Sequence, residues 1–124
     1  MNSIPSKAEQ IEAIIHSTTY QLTMRYAGRD ESGIPKYSKV FTVTRKEIEE
    51  YVRTHYRLNN LPMVNVTPES HDGLHIIRVP EGYHIYYQER NIRDTDYIVP
   101  SEDDVWKFYI DFKIRYGGGP DIQE

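Results

Sequence analysis

Five side chains able to support acid–base work on a phosphate or an ester come from one short stretch. His75, His84 and Tyr86 can give and take protons, and Arg78 and Arg90 can stabilise anionic oxygens. Four of them lie on two alternating runs, 74–79 and 83–88, joined by Val79-Pro80-Glu81-Gly82, and Arg90 follows just beyond the second. That joint reads as a three-residue hairpin loop with Gly82 left-handed and Val79 opposite Tyr83. The pairing puts His75, Ile77, Val79, Tyr83, Ile85 and Tyr87 on one face. Leu74, Ile76, Arg78, His84, Tyr86 and Gln88 fall on the other. The two histidines are therefore expected on opposite faces, which argues against a shared catalytic site. A small hydrolase or nuclease using these histidines is the alternative reading.

Other reactive patterns are weaker. His71-x-x-x-His75 with Asp72 has metal-ligand spacing only on a helix, and Gly73 with its turn-forming neighbours predicts a loop entering a strand. Neither a metal nor a cofactor is expected. Nothing matches a phosphate-cradling glycine loop, a nucleophile elbow or a zinc-protease helix. Glu47, Glu49 and Glu50 read as a helix start favoured by the macrodipole, so no catalytic residue is assigned. The acidic run is more suggestive: Asp94, Asp96, Glu102, Asp103 and Asp104 stand within eleven residues, close to Tyr83, Tyr86, Tyr87 and Tyr97. Acids interleaved with tyrosines suit a surface that captures a basic protein. The expected partner-binding set is Asp94, Asp96, Asp103, Asp104, Tyr86 and Tyr97.

These residues need elements to hold them. Ser6 with Glu9 forms a capping box opening a helix over 6–16. Alternation of Tyr20, Leu22, Met24 and Tyr26 predicts a strand, and 37–43 predicts its hairpin partner. Thr44 with Glu47 opens a helix over 45–58. Strands follow at 63–66, 74–79, 83–88 and 97–99. Ser101 and Asp104 then start a helix on which Val105, Tyr109, Phe112 and Tyr116 make a stripe, widened by Trp106, Phe108 and Ile110. So wide an apolar arc is expected to lie across a sheet. Gly117-Gly118-Gly119-Pro120 stops it. The order α-β-β-α-β-β-β-β-α defines an α+β domain, a mainly antiparallel meander packed on helices.

At 124 residues one domain over 1–124 is expected, with 1–4 and 118–124 frayed. The absence of cysteine excludes a disulfide framework and a thiol nucleophile. No apolar run approaches the roughly 18 residues of a span, and residues 1–10 carry no signal-peptide hydrophobic region, so a cytoplasmic protein that does not touch the membrane is expected. Residues 1–60 carry nine Lys/Arg and seven Asp/Glu; residues 61–124 carry six and twelve, a net of −6. The second half repels nucleic acid and attracts basic partners.

Tyr86-Tyr87-Gln88-Glu89-Arg90-Asn91 followed by Pro100-Ser101-Glu102-Asp103-Asp104-Val105 resembles small bacterial immunity proteins of polymorphic-toxin and contact-dependent inhibition systems. In several of those families a strand ends in an "ERG"-like motif, and a short strand leads into an acidic helix start. Asn91 stands where Gly is usual, and Val105 where Ala is usual. The resemblance covers about a third of the chain. It implies a non-enzymatic cytoplasmic protein that binds one cognate toxin and blocks it.

Overall fold

The computed structural model describes residues 4–68, 71–116 and 119–124. The chain is α+β, with a mainly antiparallel sheet. Helices α1 (Lys7–Ile15), α2 (Thr19–Tyr26) and α3 (Arg45–His55) precede strands β1 (Val64–Asn65), β2 (Gly73–Val79), β3 (Gly82–Glu89) and β4 (Ile92–Val99). Helix α4 (Glu102–Tyr116) follows. The chain divides into two compact units, one of residues 1–55 with 109–124 and the other of residues 56–108, so α4 contributes to both.

In the first unit the caps form as their sequences predict. Glu9 N–H donates to Ser6 Oγ at 3.1 Å and Ser6 N–H to Glu9 Oε1 at 3.3 Å. Thr44 and Glu47 repeat the exchange at 2.9 and 3.2 Å. Two predicted strands are absent. Residues 19–26 form α2, because Thr19, Leu22 and Thr23 make a buried helical face that coexists with the alternating pattern. Ser17, at φ 59°, reverses the chain between α1 and α2.

Residues 37–43 contain a single 3₁₀ turn, Tyr37–Lys39, then a segment without regular structure whose backbone is bonded by a side chain. Gln10 of α1 has no exposed surface. Its Oε1 accepts from Thr42 N–H at 2.7 Å and Val43 N–H at 3.2 Å, while its Nε2 donates to Pro5 O at 3.0 Å. A buried glutamine thus takes the donors that a hairpin partner would have taken. Val40, Phe41 and Val43 join Ile11, Ile14 and Ile48 among the buried apolar residues.

The tail expected to fray is tied down over 119–124. Gln123 O accepts from Arg45 N–H at 2.7 Å and Pro120 is buried. That bond serves one of the orphan amides at the start of α3. Residues 1–3 and the helix stop at Gly117-Gly118 lie outside the described residues.

The second unit is built on the sheet, in the order β1-β2-β3-β4 with β1 parallel to β2 and the rest antiparallel. The turn between β2 and β3 is tighter than predicted. Val79 pairs with Gly82, leaving Pro80 and Glu81 as a two-residue loop. Gly82 has φ 138°, and a Cβ there would lie 2.3 Å from Val99 O and 2.7 Å from Pro100 Cα. Close approach of the end of β4 sets the glycine requirement, and the register moves by one residue.

Every side chain of β3 therefore changes face relative to the prediction. Leu74, Ile76, Tyr83 and Ile85 share the face that bears Tyr97 and Val99, and all four are buried. Phe108 of α4 meets Tyr97 edge-on at 5.6 Å. Val105, Tyr109 and Ile110 are fully buried, while Trp106, Phe108 and Phe112 are half-buried. The side chain of Tyr116, the last of the predicted stripe, lies outside the described residues.

Candidate functional site

The corrected register assembles a polar cluster on the other sheet face. His75 pairs with Tyr86, which pairs with Asp96, and Ile77, His84 and Ile98 follow two residues along. His75 and Tyr86 stack at 4.4 Å with 10° between planes, and His84 leans on Tyr86 at 4.9 Å. The Arg93 guanidinium lies 4.0 Å from the centre of the same ring. His84 Nε2 donates to Asp96 Oδ1 at 2.6 Å, and Arg93 approaches Asp96 Oδ2 at 3.5 Å. Thus His75, His84 and Tyr86 share a face, contrary to the sequence expectation.

The electrostatics of this cluster follow from its geometry. The hydrogen bond from His84, reinforced by Arg93, holds the Asp96 carboxyl below the usual carboxylate range. His75 has no exposed surface, and its Nδ1–H donates to Gly73 O at 3.1 Å, which fixes the tautomer. Tyr86 is 2% exposed. Of the cluster, His84, Asp96 and Arg93 reach solvent.

The predicted partner-binding residues are therefore divided. Asp96 belongs to the histidine face and is ion-paired. Tyr86 is buried beneath Arg93, so it offers no contact surface in this conformation. Tyr97, 43% exposed, sits on the opposite face of β4. Asp103 and Asp104 are exposed in the first turn of α4, Asp103 bonded to Lys107 at 3.0 Å and Asp104 N–H capped by Ser101 Oγ at 3.2 Å. The side chain of Asp94 lies outside the described residues. Its backbone is the extra residue of a bulge: Tyr87 pairs with Thr95 while Gln88 pairs with Arg93.

Two features escaped the sequence reading. Ile92 and Ile98 are 71% and 51% exposed, so with Tyr97 they make β4 rich in exposed large apolar side chains. Alternation of β4 with a paired neighbour was the available signal, but the charges at Arg93, Asp94 and Asp96 hid the strand's first half. The second feature is a cavity of about 430 Å³ whose lining includes Arg57, Arg78, Ile76, Tyr83 and Glu102. Burial, then the adjacent Glu102 carboxylate, raises the Tyr83 phenol above its ordinary value. Arg90, the other predicted cation, sits at the β3–β4 turn, where its N–H donates to Asp72 Oδ1 at 3.0 Å.

That turn has Arg90 and Asn91 at φ 51° and 67°. Two positive values in a two-residue loop define a type I′ turn, in which asparagine is tolerated nearly as well as glycine. Among the described residues no group of three or more His, Asp or Glu side chains is placed to hold a metal ion, and no helix is long and apolar enough to cross a membrane.

No family model, no curated protein and no solved structure matches this chain.

Proposed function

We propose that this chain is a non-enzymatic immunity protein that binds and neutralises a basic toxin domain in the bacterial cytoplasm. One observation carries the reading: residues 92–104 combine exposed Ile92, Tyr97 and Ile98 with one Arg and five acids. Apolar anchors within an acidic surround are what a basic protein surface requires: charge steers the encounter and desolvated side chains hold it. The resemblance of 86–91 and 100–105 to immunity proteins supports the same conclusion. The test is co-expression with the polypeptide encoded immediately upstream. Growth arrest by that polypeptide, relieved by the wild-type chain and not by Ile98→Lys, is expected. Arrest that the wild-type chain leaves untouched would contradict it.

A hydrolytic reading has one observation in its favour, the His84–Asp96 pair beside Arg93. Asp96 orients the imidazole as a general base would need. Burial of His75 and Tyr86 leaves that base without a second exposed acid in the cluster. His84→Gln separates the two readings: an inhibitor keeps its neutralising activity and a hydrolase loses all turnover.

A further inference from the structure

We infer that the outer edge of β4 captures its partner by strand addition, the partner's basic segment extending the sheet as a fifth strand. This rests on the inhibitor reading and specifies its mode.

Backbone geometry supplies the argument. In antiparallel pairing, alternate residues turn their N–H and C=O groups to the same neighbour. The two-residue turn closed by Val79 and Gly82 makes that pair hydrogen-bonded, so Gly82, His84, Tyr86 and Gln88 address β2. Tyr83, Ile85 and Tyr87 then address β4, and Glu89, which closes the next turn with Ile92, falls in the same set. Their partners Val99, Tyr97 and Thr95 direct their backbone groups inward. Asp96 and Ile98 direct theirs outward.

Strand β4 ends the sheet order, and among the described residues no strand lies beyond it. The outward amides and carbonyls of Asp96 and Ile98 have no backbone partner there. The first half of the edge is blunted by the bulge at Asp94 and by the charged side chain of Arg93, a common defence against unwanted pairing. The second half lacks that defence: Tyr97 and Ile98 stand exposed beside the open backbone groups. Such an edge is the docking element of strand-addition recognition, in which main-chain bonds give affinity and flanking side chains give specificity.

Charge selects the occupant. Strand β4 carries one Arg and two Asp, and the start of α4 adds three acids, so residues 92–104 present a net −4 whose field repels a second copy of this segment. An extended segment rich in Lys or Arg meets the opposite condition.

The probe is a capped octapeptide of alternating lysine and valine, followed by amide hydrogen exchange on the isotope-labelled protein. Exchange at Asp96 and Ile98 should slow at least about tenfold on saturation, with the inward amides of Thr95, Tyr97 and Val99 little changed. The same peptide N-methylated at every residue keeps its charge but has neither edge free to pair, and should leave both amides unprotected. Equal protection by both peptides, protection at another edge, or none at all overturns the proposal. Protection of Asp96 and Ile98 that grows with protein concentration alone would make the occupant a second copy, which also overturns it. The N-methylated arm leaves the protein unaltered, so the result does not depend on whether a variant folds. Neutralisation in co-expression that persists while the amides stay unprotected removes strand addition and leaves the inhibitor reading standing. Failure of wild-type neutralisation removes that reading instead.

Discussion

At the scale of single residues, two buried polar side chains govern stability in opposite senses. Gln10 satisfies two backbone donors and is itself satisfied. Gln10→Met keeps the volume but leaves the Thr42 and Val43 amides without their acceptor, so a loss of roughly 2–3 kcal/mol is expected. In thermal unfolding this appears as a Tm lower by about 10 °C. Lys113 is the converse. It is 6% exposed and donates to Ser17 Oγ at 2.9 Å, with burial depressing its ammonium from 10.5 to about 8. A depression of that size corresponds to roughly 3 kcal/mol against the charged form. The folded state releases the proton more readily than the unfolded chain. The penalty is therefore fully present below pH 8 and fades as pH rises from about 8 to 10.5, so stability climbs across that window. Lys113→Met should be more stable at pH 7 by about 1–3 kcal/mol and should lack the alkaline rise, as denaturant titrations at several pH values will show.

Elements show where the sequence was readable and where it was not. Caps are local, so Ser6 with Glu9 and Thr44 with Glu47 announced α1 and α3 within a few residues. The alternation at Tyr20, Leu22, Met24 and Tyr26 was ambiguous, because Thr19, Leu22 and Thr23 equally make a helical face; packing chose the helix. Register was beyond local reading. Gly82 looked like a left-handed loop residue, but its role is set by Val99 and Pro100, which lie at the far end of β4. That single residue decided whether His84 and Tyr86 joined His75, and so concealed the polar cluster. Asp103 and Asp104 were legible as exposed positions because helix starts declare themselves locally. The burial of Tyr86 and the pairing of Asp96 depended on cross-strand partners. Gly82→Ala tests this account of the hairpin. A methyl group 2.3 Å from Val99 O must push β4 away or strain β3, so a loss of at least about 2 kcal/mol is expected in denaturant unfolding. An unchanged midpoint would show that β3 and β4 do not close as described.

At the scale of the whole molecule, charge is spread unevenly along the chain. The first sixty residues are net +2 and the remainder net −6, with five acids concentrated in 92–104. Asp96 among them is hydrogen-bonded to His84 and paired with Arg93, so in the proposed complex steering would fall chiefly to the exposed carboxylates at the start of α4. Their field is screened beyond about 10 Å at 0.1 M salt, which makes the association rate the sensitive quantity. The exposed apolar side chains of β4 are expected to act later in the proposed complex, on dissociation. Charge reversal at Asp103 and Asp104 should slow association several-fold at low salt and leave dissociation nearly unchanged. Substitution of Ile98 should do the reverse.

The most direct test is the binding kinetics of the purified chain against the polypeptide encoded immediately upstream, at low and high salt. The wild-type chain should associate at least about tenfold faster at low salt. Ile98→Lys should weaken the complex by about a hundredfold, almost wholly through faster dissociation. Binding by Ile98→Lys that equals wild type in both rates and in salt dependence would contradict the claim that β4 and the start of α4 form the neutralising surface.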